Sequence, residues 1–387
     1  MAKRNPELEV LESNRQFTTD LYNVLAKAPG NVIFSPISVH AVLSMSYQGA
    51  KGTTAEKFAS TLKVPTAAVA AEGYSIVMNR LNSVPNVTLL MANKMYLMEG
   101  YQLVPGFSNA VTKNFLSEVQ LLNFAENEAA AASINAWVEE KTKEKIKDLI
   151  NKDDLDKSTR LILVNAIYFK GSWLDPFSKY STKTEPFYLN NVDSVKVPMM
   201  NKCADFYYKA DKNLDVQILE LPYTNENPSM IIILPNMRNG LDKLEKKLAT
   251  CNLRETTQHM EKTEVFVRLP KFKIEQTINL NDPLTKLGLG EIFDPRKANF
   301  KDLVTSNGKL YVSQVVQKVF IEVNEEGAEA AAATQMTRVP CCARVGPPPK
   351  QFIADHPFIY FLCENRINPL FAGRLSDPRN IKFSNSK

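Results

Sequence analysis

Apolar residues recur at helical spacing early in the chain and at strand spacing late in it. Between Glu7 and Leu25, Leu8, Leu11, Leu21, Val24 and Leu25 stand mostly three or four apart, which predicts a helix. Asn31–Phe34 reads as a short strand, and Ser35-Pro36 then opens a helix with proline at its first position. Thr53-x-x-Glu56 reads as a capping box ahead of Phe58 and Leu62. Asn86–Met98 alternates as a strand does. Glu126–Ile150 reads as one long helix whose interleaved Lys and Glu form a solvated face. Arg160–Phe169 is a near-continuous apolar run, the mark of a strand buried on both faces. Gln217–Leu221 and Met230–Leu234 flank a turn-rich segment as a hairpin would. Glu264–Ile274 alternates, and Leu310–Val323 predicts a strand of roughly 46 Å. Phe352–Leu362 and Leu370–Leu375 are further strands. Helices early, strands late and no βαβ rhythm predict an α+β fold. No repeat or long linker divides residues 1–387, which read as a single domain.

One segment fits neither period. Asn324–Gln351 is long for a connection in a compact domain, where about 4–6 residues is usual. Its alanines favour a helix, but Gly327 interrupts them and no large apolar residue comes before Met336 to dock one. Small residues suit a strand that slides between two existing strands. Glu329 must face solvent, so Ala328, Ala330, Ala332, Thr334, Met336 and Arg338 point the other way. Of these only Arg338 resists burial. The continuation, RVPCCARVGPPPK, is exposed-loop chemistry, with Pro347–Pro349 imposing extended backbone.

Composition excludes several classes. Hydrophobic residues make up 44% and charged residues 23%, which is ordinary globular composition. Lys plus Arg outnumber Asp plus Glu by 47 to 42, an excess too thin to imply nucleic acid or an anionic membrane. Apolar runs such as Met230–Leu234 fall far below the ~18 residues of a membrane helix. The opening MAKRNPELEV is not a secretory signal as written. No pair among Cys203, Cys251, Cys341, Cys342 and Cys363 has metal-ligand spacing, and Cys203, Cys251 and Cys363 read as partly buried free thiols. The three histidines, His40, His259 and His356, sit in no catalytic motif, and none is placed to activate Cys341 or Cys342 as a nucleophile. No catalytic residue, metal site or cofactor is expected.

The segment and its flanks resemble a known family. NEEGAEAAAAT (Asn324–Thr334), FIADHPFIYFL (Phe352–Leu362) with PLFAGRLSDP (Pro369–Pro378), NVIFSPISV (Asn31–Val39), GAKGTTAEK (Gly49–Lys57) and LVNAIYFKGSW (Leu163–Trp173) resemble motifs of inhibitory serpins, in the right order. The likeness is strongest to arthropod and ovalbumin-like members. It implies three β-sheets, eight or nine helices and an exposed reactive-centre loop over about 325–351. It also implies a monomer whose partner is a serine protease, trapped as a covalent complex when the cleaved loop inserts into the main sheet. The hinge of that movement is Glu325, Gly327, Ala328, Ala330, Ala331, Ala332, Ala333 and Thr334. Trp173 would sit where insertion begins, and Ser35, Ser38 and Asn165 would form a polar cluster gating the sheet. Many serpins have histidine where this chain has Gln317; Gln still donates and accepts, but a pH response would be lost. Alternatives are a non-inhibitory carrier, chaperone or storage serpin, or an inhibitor of cysteine proteases. Secretion as a mature chain is expected, with the cytoplasm as the alternative.

Two counts place the cleaved bond differently. Inhibitory members cleave about 17 residues along the loop, counting from Glu325, which implies Cys341–Cys342 and a tether of roughly 56 Å. Counting back from Phe358 implies Arg344–Val345 and about 66 Å, while Arg338–Val339 would give about 46 Å. The physical requirement lies on the inserted side, which favours Cys341–Cys342.

Overall fold

The computed structural model describes residues 5–83, 87–224, 227–250, 253–305, 308–327 and 347–380. Helix α1 (Pro6–Leu25) begins where the Asn5 side chain accepts from the backbone N–H of Glu7 at 3.1 Å and Leu8 at 3.3 Å. Helix α2 (Pro36–Tyr47) is buried on every side, so its sequence carries little helical periodicity. Around it pack α3 (Thr53–Leu62), α4 (Ala67–Leu81) and α5 (Pro105–Phe115), with α6 (Asn127–Lys141) elsewhere. Among the described residues three shorter helices complete the set: α7 (Leu241–Leu248), α8 (Leu253–Thr256) and α9 (Asn281–Leu284).

The strands are β1 (Val32–Phe34), β2 (Val87–Met98), β3 (Val119–Leu122), β4 (Leu161–Gly171), β5 (Lys183–Tyr188), β6 (Ser194–Asp211), β7 (Val216–Pro222) and β8 (Ser229–Pro235). They continue with β9 (Glu261–Pro270), β10 (Phe272–Asn279), β11 (Val312–Val323), β12 (Lys350–Ile353), β13 (Phe358–Glu364) and β14 (Asn368–Leu375). Five form one sheet in the order β10-β11-β4-β2-β3. The other nine run β1-β14-β13-β8-β7-β6-β9-β12, with β5 beside β6. Two of the three expected sheets are joined in that network because β6 is long enough to pair with β5 and β9 along one part and with β7 at its end.

The apolar run at β4 is explained by its two faces. Leu161, Leu163, Ile167 and Phe169 join the main core shared with α1, α2 and α4, while Ile162, Val164, Ala166 and Tyr168 join a second core under α6. In the centre of the sheet β4 and β11 run parallel, from Val312 opposite Leu161 to Phe320 opposite Tyr168. Their outer neighbours are antiparallel: β10 to β11 and β2 to β4.

Several local expectations are corrected. The capping box does not form: Gly52 is the N-cap of α3, and the hydroxyls of Thr53 and Thr54 both donate to Glu291, at 2.8 and 2.7 Å. The long helix stops at Lys141. The Thr142 hydroxyl accepts from Ile146 N–H at 3.1 Å, and Asn135 Oδ1 accepts from Leu149 and Ile150, both at 2.9 Å. Those bonds turn Ile146, Leu149 and Ile150 back into the same core, which mimics helical spacing in the sequence. Glu264–Ile274 is two strands in different sheets, broken at Lys271. Phe352–Leu362 is likewise split, into β12 and β13, at Ala354–Pro357. Cys203 is exposed rather than partly buried, Cys363 is buried and free, and Cys251 lies outside the described residues.

His40 on α2 is fully buried. Its Nε2–H donates to the Leu62 carbonyl at 2.9 Å and its Nδ1 accepts from the Tyr74 hydroxyl at 2.7 Å. Burial, partly opposed by the Leu62 bond, pulls its pKa down to about 4. The unfolded chain takes up this proton near the ordinary value of about 6.5, so native stability falls as pH drops from there to about 4. A loss of about 3 kcal/mol is expected over that window. Urea unfolding against pH is expected to show it, and His40→Gln to flatten it.

Candidate functional site: the central seam and its hinge

Asn93 on β2, Asn165 on β4 and Gln317 on β11 occupy one row across three neighbouring strands. All three lie on the side of the sheet that meets the start of α2. There Gln317 Nε2–H donates to the Ser35 carbonyl at 3.0 Å and to Asn165 Oδ1, and Ser35 N–H donates back to Gln317 Oε1 at 3.0 Å. Asn165 Nδ2–H donates to Ser38 Oγ and Asn93 Oδ1, and the Ser38 hydroxyl donates to Asn93 Oδ1 at 3.0 Å. The Ser35 hydroxyl donates to the Leu370 carbonyl at 2.6 Å, which adds β14 to the ring. Ser35, Ser38, Asn165 and Gln317 have no exposed surface. Buried polar groups need partners, and amide side chains, donor and acceptor at once, close such a ring without charge.

The row crosses the β4–β11 seam. Parting these strands breaks the Gln317–Asn165 bond as well as the ladder. The four residues expected in this cluster, Ser35, Ser38, Asn165 and Gln317, are together; Asn93 was missed. Its signal was a polar residue at a core-facing position between Met91 and Met95.

At the far end of the seam β11 leads into a turn over Asn324–Gly327, closed by an Asn324–Gly327 bridge. Gly327 has φ of 107° and pairs with Ser172. A Cβ there would lie 2.4 Å from the Gly171 carbonyl oxygen and 2.6 Å from the Trp173 nitrogen, so glycine is required on both counts. The Trp173 indole N–H donates to the Asn324 carbonyl at 2.8 Å and its backbone N–H to Glu326 at 3.0 Å. Its ring stacks on Tyr223 at 4.2 Å between centroids.

Glu325 is 5% exposed. Its carboxylate accepts from the Thr182 hydroxyl at 2.8 Å and pairs with Lys271 at 2.9 Å. Burial alone would raise its pKa, but the bonds from Lys271 and Thr182 outweigh burial and hold the carboxyl below the usual range. Lys271 stands at the corner between β9 and β10, so this pair ties the turn to the point where the two sheets meet. Glu325, Gly327 and Trp173 are therefore brought together in the structure, while Lys271, Thr182 and Tyr223 carried no signal in a single sequence. Ala328, Ala330, Ala331, Ala332, Ala333 and Thr334 lie outside the described residues, as do Arg338, Val339, Cys341, Cys342, Arg344 and Val345. The chain leaves the five-stranded sheet at Gly327 and joins the nine-stranded network at Lys350, where β12 runs parallel to β9.

Among the described residues no group of His, Cys, Asp and Glu is arranged to hold a metal ion, and no helix is long and apolar enough to cross a membrane. Burial, together with the nearby Glu220 charge, pushes the Cys363 thiol far up, away from nucleophilic use.

This geometry defines a class. A parallel seam crossed by a buried polar row, with a turn at Gly327 at its end, precedes a stretch of small residues in the sequence. The pattern described as Serpin (serine protease inhibitor) matches residues 12–378, and the chain belongs to the serpin family. It is 38% identical to alaserpin of Manduca sexta, over 95% of this chain and 93% of that protein. It is 36% identical to leukocyte elastase inhibitor A of Rattus norvegicus, over 96% and 100%. Among solved structures, Serpin48 of the insect Tenebrio molitor superposes with a TM-score of 0.87 at 33% identity, over 97% of this chain and 100% of that one. The chain thus groups with proteins named as protease inhibitors, not with enzymes.

Replacing Glu325 with Gln keeps the shape of the turn and removes the carboxylate that pairs with Lys271. A loss of about 1–3 kcal/mol is expected in denaturant unfolding. Because the carboxyl is depressed in the native state, its contribution is present above the ordinary carboxylate range and lost as pH falls through it. The variant is expected to lack that acid-dependent part.

Proposed function

We propose that this chain inhibits serine proteases as a suicide substrate. The observation that carries the reading is the direction of the strands at the seam. A chain that turns back at Gly327 runs antiparallel to β11, and because β4 is parallel to β11, antiparallel to β4 as well. Its insertion replaces one parallel ladder by two antiparallel ones, the better-aligned kind. Each backbone group of the new strand gains a partner. The residues that must pass inward are small, from Ala328 to Thr334.

The chemistry belongs to the protease. Its serine oxygen attacks the carbonyl carbon of the cleaved residue, an ester to the enzyme forms, and the peptide nitrogen leaves with a proton as a free amine. Water would complete hydrolysis. Insertion of the freed segment competes with that step, carries the tethered enzyme along the sheet and distorts its active site. No cofactor is needed, and the chain acts as a monomer. The polar row of Asn93, Asn165 and Gln317 sets how readily the seam parts, and the Glu325–Lys271 clamp sets where parting begins. With Gln317 in the histidine position, this gate does not titrate near neutral pH.

The named relatives support this reading. They include leukocyte elastase inhibitors, and antichymotrypsin-2 and antitrypsin of Bombyx mori. Fold alone does not, since uncleaved ovalbumin and thyroxine-binding globulin superpose as well, with TM-scores of 0.85 and 0.87. The small inward residues separate the two behaviours. We place the inhibitor outside the cell and expect it in the medium of cells that express its full transcript.

The cleaved bond is assigned to Cys341–Cys342, which gives a tether of roughly 56 Å. The Pro-rich Gly346–Lys350 stretch then stays on the side that never inserts. A protease panel, followed by the intact mass of the released C-terminal peptide, tests this. A fragment starting at Cys342 from a stable covalent complex is expected; one starting at Val345 overturns the assignment. Ala330→Arg is expected to turn the inhibitor into a substrate, since burying an unpaired charge costs several kcal/mol and hydrolysis then outruns insertion. Covalent complex at unchanged stoichiometry would refute the insertion mechanism.

A further inference from the structure

Strand β2 is paired along its full length on one side and only partly on the other. Toward β4 its register runs from Val87 to Leu97. Toward β3 it runs only from Met95 to Met98. The Ser117 hydroxyl donates to the Asn93 carbonyl at 2.6 Å, and Met95 N–H donates to the Glu118 carbonyl at 3.3 Å, so the odd-numbered residues of β2 turn their backbone groups away from β4. Leu89 and Met91 follow the same alternation. Among the described residues no strand pairs with them on that side.

The Met91 part of this edge, with Ala92 and Asn93, lines a cleft of about 570 Å³. The cleft has a wall on each face of the sheet. Met78 of α4 and Phe115 of α5 stand on the face that carries Met91 and Asn93. Trp137 and Lys141 of α6 stand on the face that carries Ala92. At the lip Leu116 is 49% exposed and held at φ of 50°, an unusual position for a large apolar side chain. A small molecule needs one concave surface. A strand needs a backbone edge in the middle and a side-chain site on either face, because its successive residues point to opposite sides.

We propose that this cleft binds an extended peptide segment of a partner protein, with apolar residues at alternate positions, by strand addition to β2. The segment occupies the row that β3 begins. Its backbone pairs with Met91 in the cleft and runs on toward Leu89 along the same edge; side chains of one parity enter between Met78 and Phe115, and those of the other parity lie against Trp137. The soft methionine and aromatic lining tolerates a range of apolar side chains. The site lies across β2 from the β4–β11 seam, and Asn93 is the one residue common to its lining and to the polar row.

The test uses the intact full-length chain and a blocked hexapeptide of alternating leucine and threonine, with a benzophenone at one leucine position. Saturable binding is expected, with photo-crosslinks on α4, α5 or α6 beside the cleft. Met91→Pro removes an outward N–H without touching the β2–β4 ladder, and Thr112→Arg places a bulky cation at the exposed rim. Each is expected to weaken binding about tenfold or more. Crosslinks confined to β4 or β11, absence of saturable binding, or affinity unchanged in Thr112→Arg would each overturn the proposal. Full affinity in a folded Met91→Pro would do so too, because the cleft would then recognise side chains alone.

Discussion

The parallel ladder between β4 and β11 is the constraint on which the rest of the structure depends. It is the one place in the five-stranded sheet where a strand returning from β11 is antiparallel to both neighbours. A sheet built with β4 and β11 antiparallel would offer no such slot. Everything around the seam holds it shut by bonds that can be exchanged. On one face lies the amide and hydroxyl ring of Ser35, Ser38, Asn93, Asn165 and Gln317. On the other lies the chain that returns from α6, packed through Ile146, Leu149 and Ile150 and tied by Lys318, which donates to the Lys147 carbonyl at 2.6 Å.

The two ends of the seam are built differently. At the Gly327 end the clamp is ionic and local: one buried carboxylate, one lysine, one hydroxyl and an indole N–H hold four residues of turn. In mid-seam the lock is neutral and distributed over five residues from four elements. A charged pair concentrates its strength in one contact, so the clamp would be lost in a single step. A neutral ring loses one bond at a time, each worth about 1 kcal/mol net. Under the proposed insertion mechanism, this difference would make parting start at the Gly327 turn and travel along the row.

Much of this was legible in the sequence, and the illegible parts share a cause. The apolar run of β4, the hairpin of β7 and β8 and the helix α1 follow from period and end signals. That Asn324–Gln351 is no ordinary connection followed from the conflict between an alanine-rich composition and the lack of any docking residue; the hinge positions themselves came from the family resemblance. What failed was wherever tertiary contacts mimic or override a local pattern. Ile146 and Ile150 kept helical spacing because Thr142 and Asn135 fold the chain back onto α6. Thr53 was lost as a cap because Glu291, distant in sequence, takes its hydroxyl. Lys271 looked like an ordinary strand residue, yet it marks a corner between sheets and supplies the counter-charge of Glu325. A partner so far along the chain leaves no local trace.

The central claim is that the seam opens and takes up the segment after Gly327. Hydrogen exchange along β4 and β11 measures this directly, comparing the intact chain with one cut once between Ala333 and Val345. The account predicts that amides of Leu161–Phe169 and Val312–Val323 exchange at least about tenfold more slowly after the cut, as each strand gains an antiparallel neighbour. Unchanged or faster exchange in these two strands would contradict it.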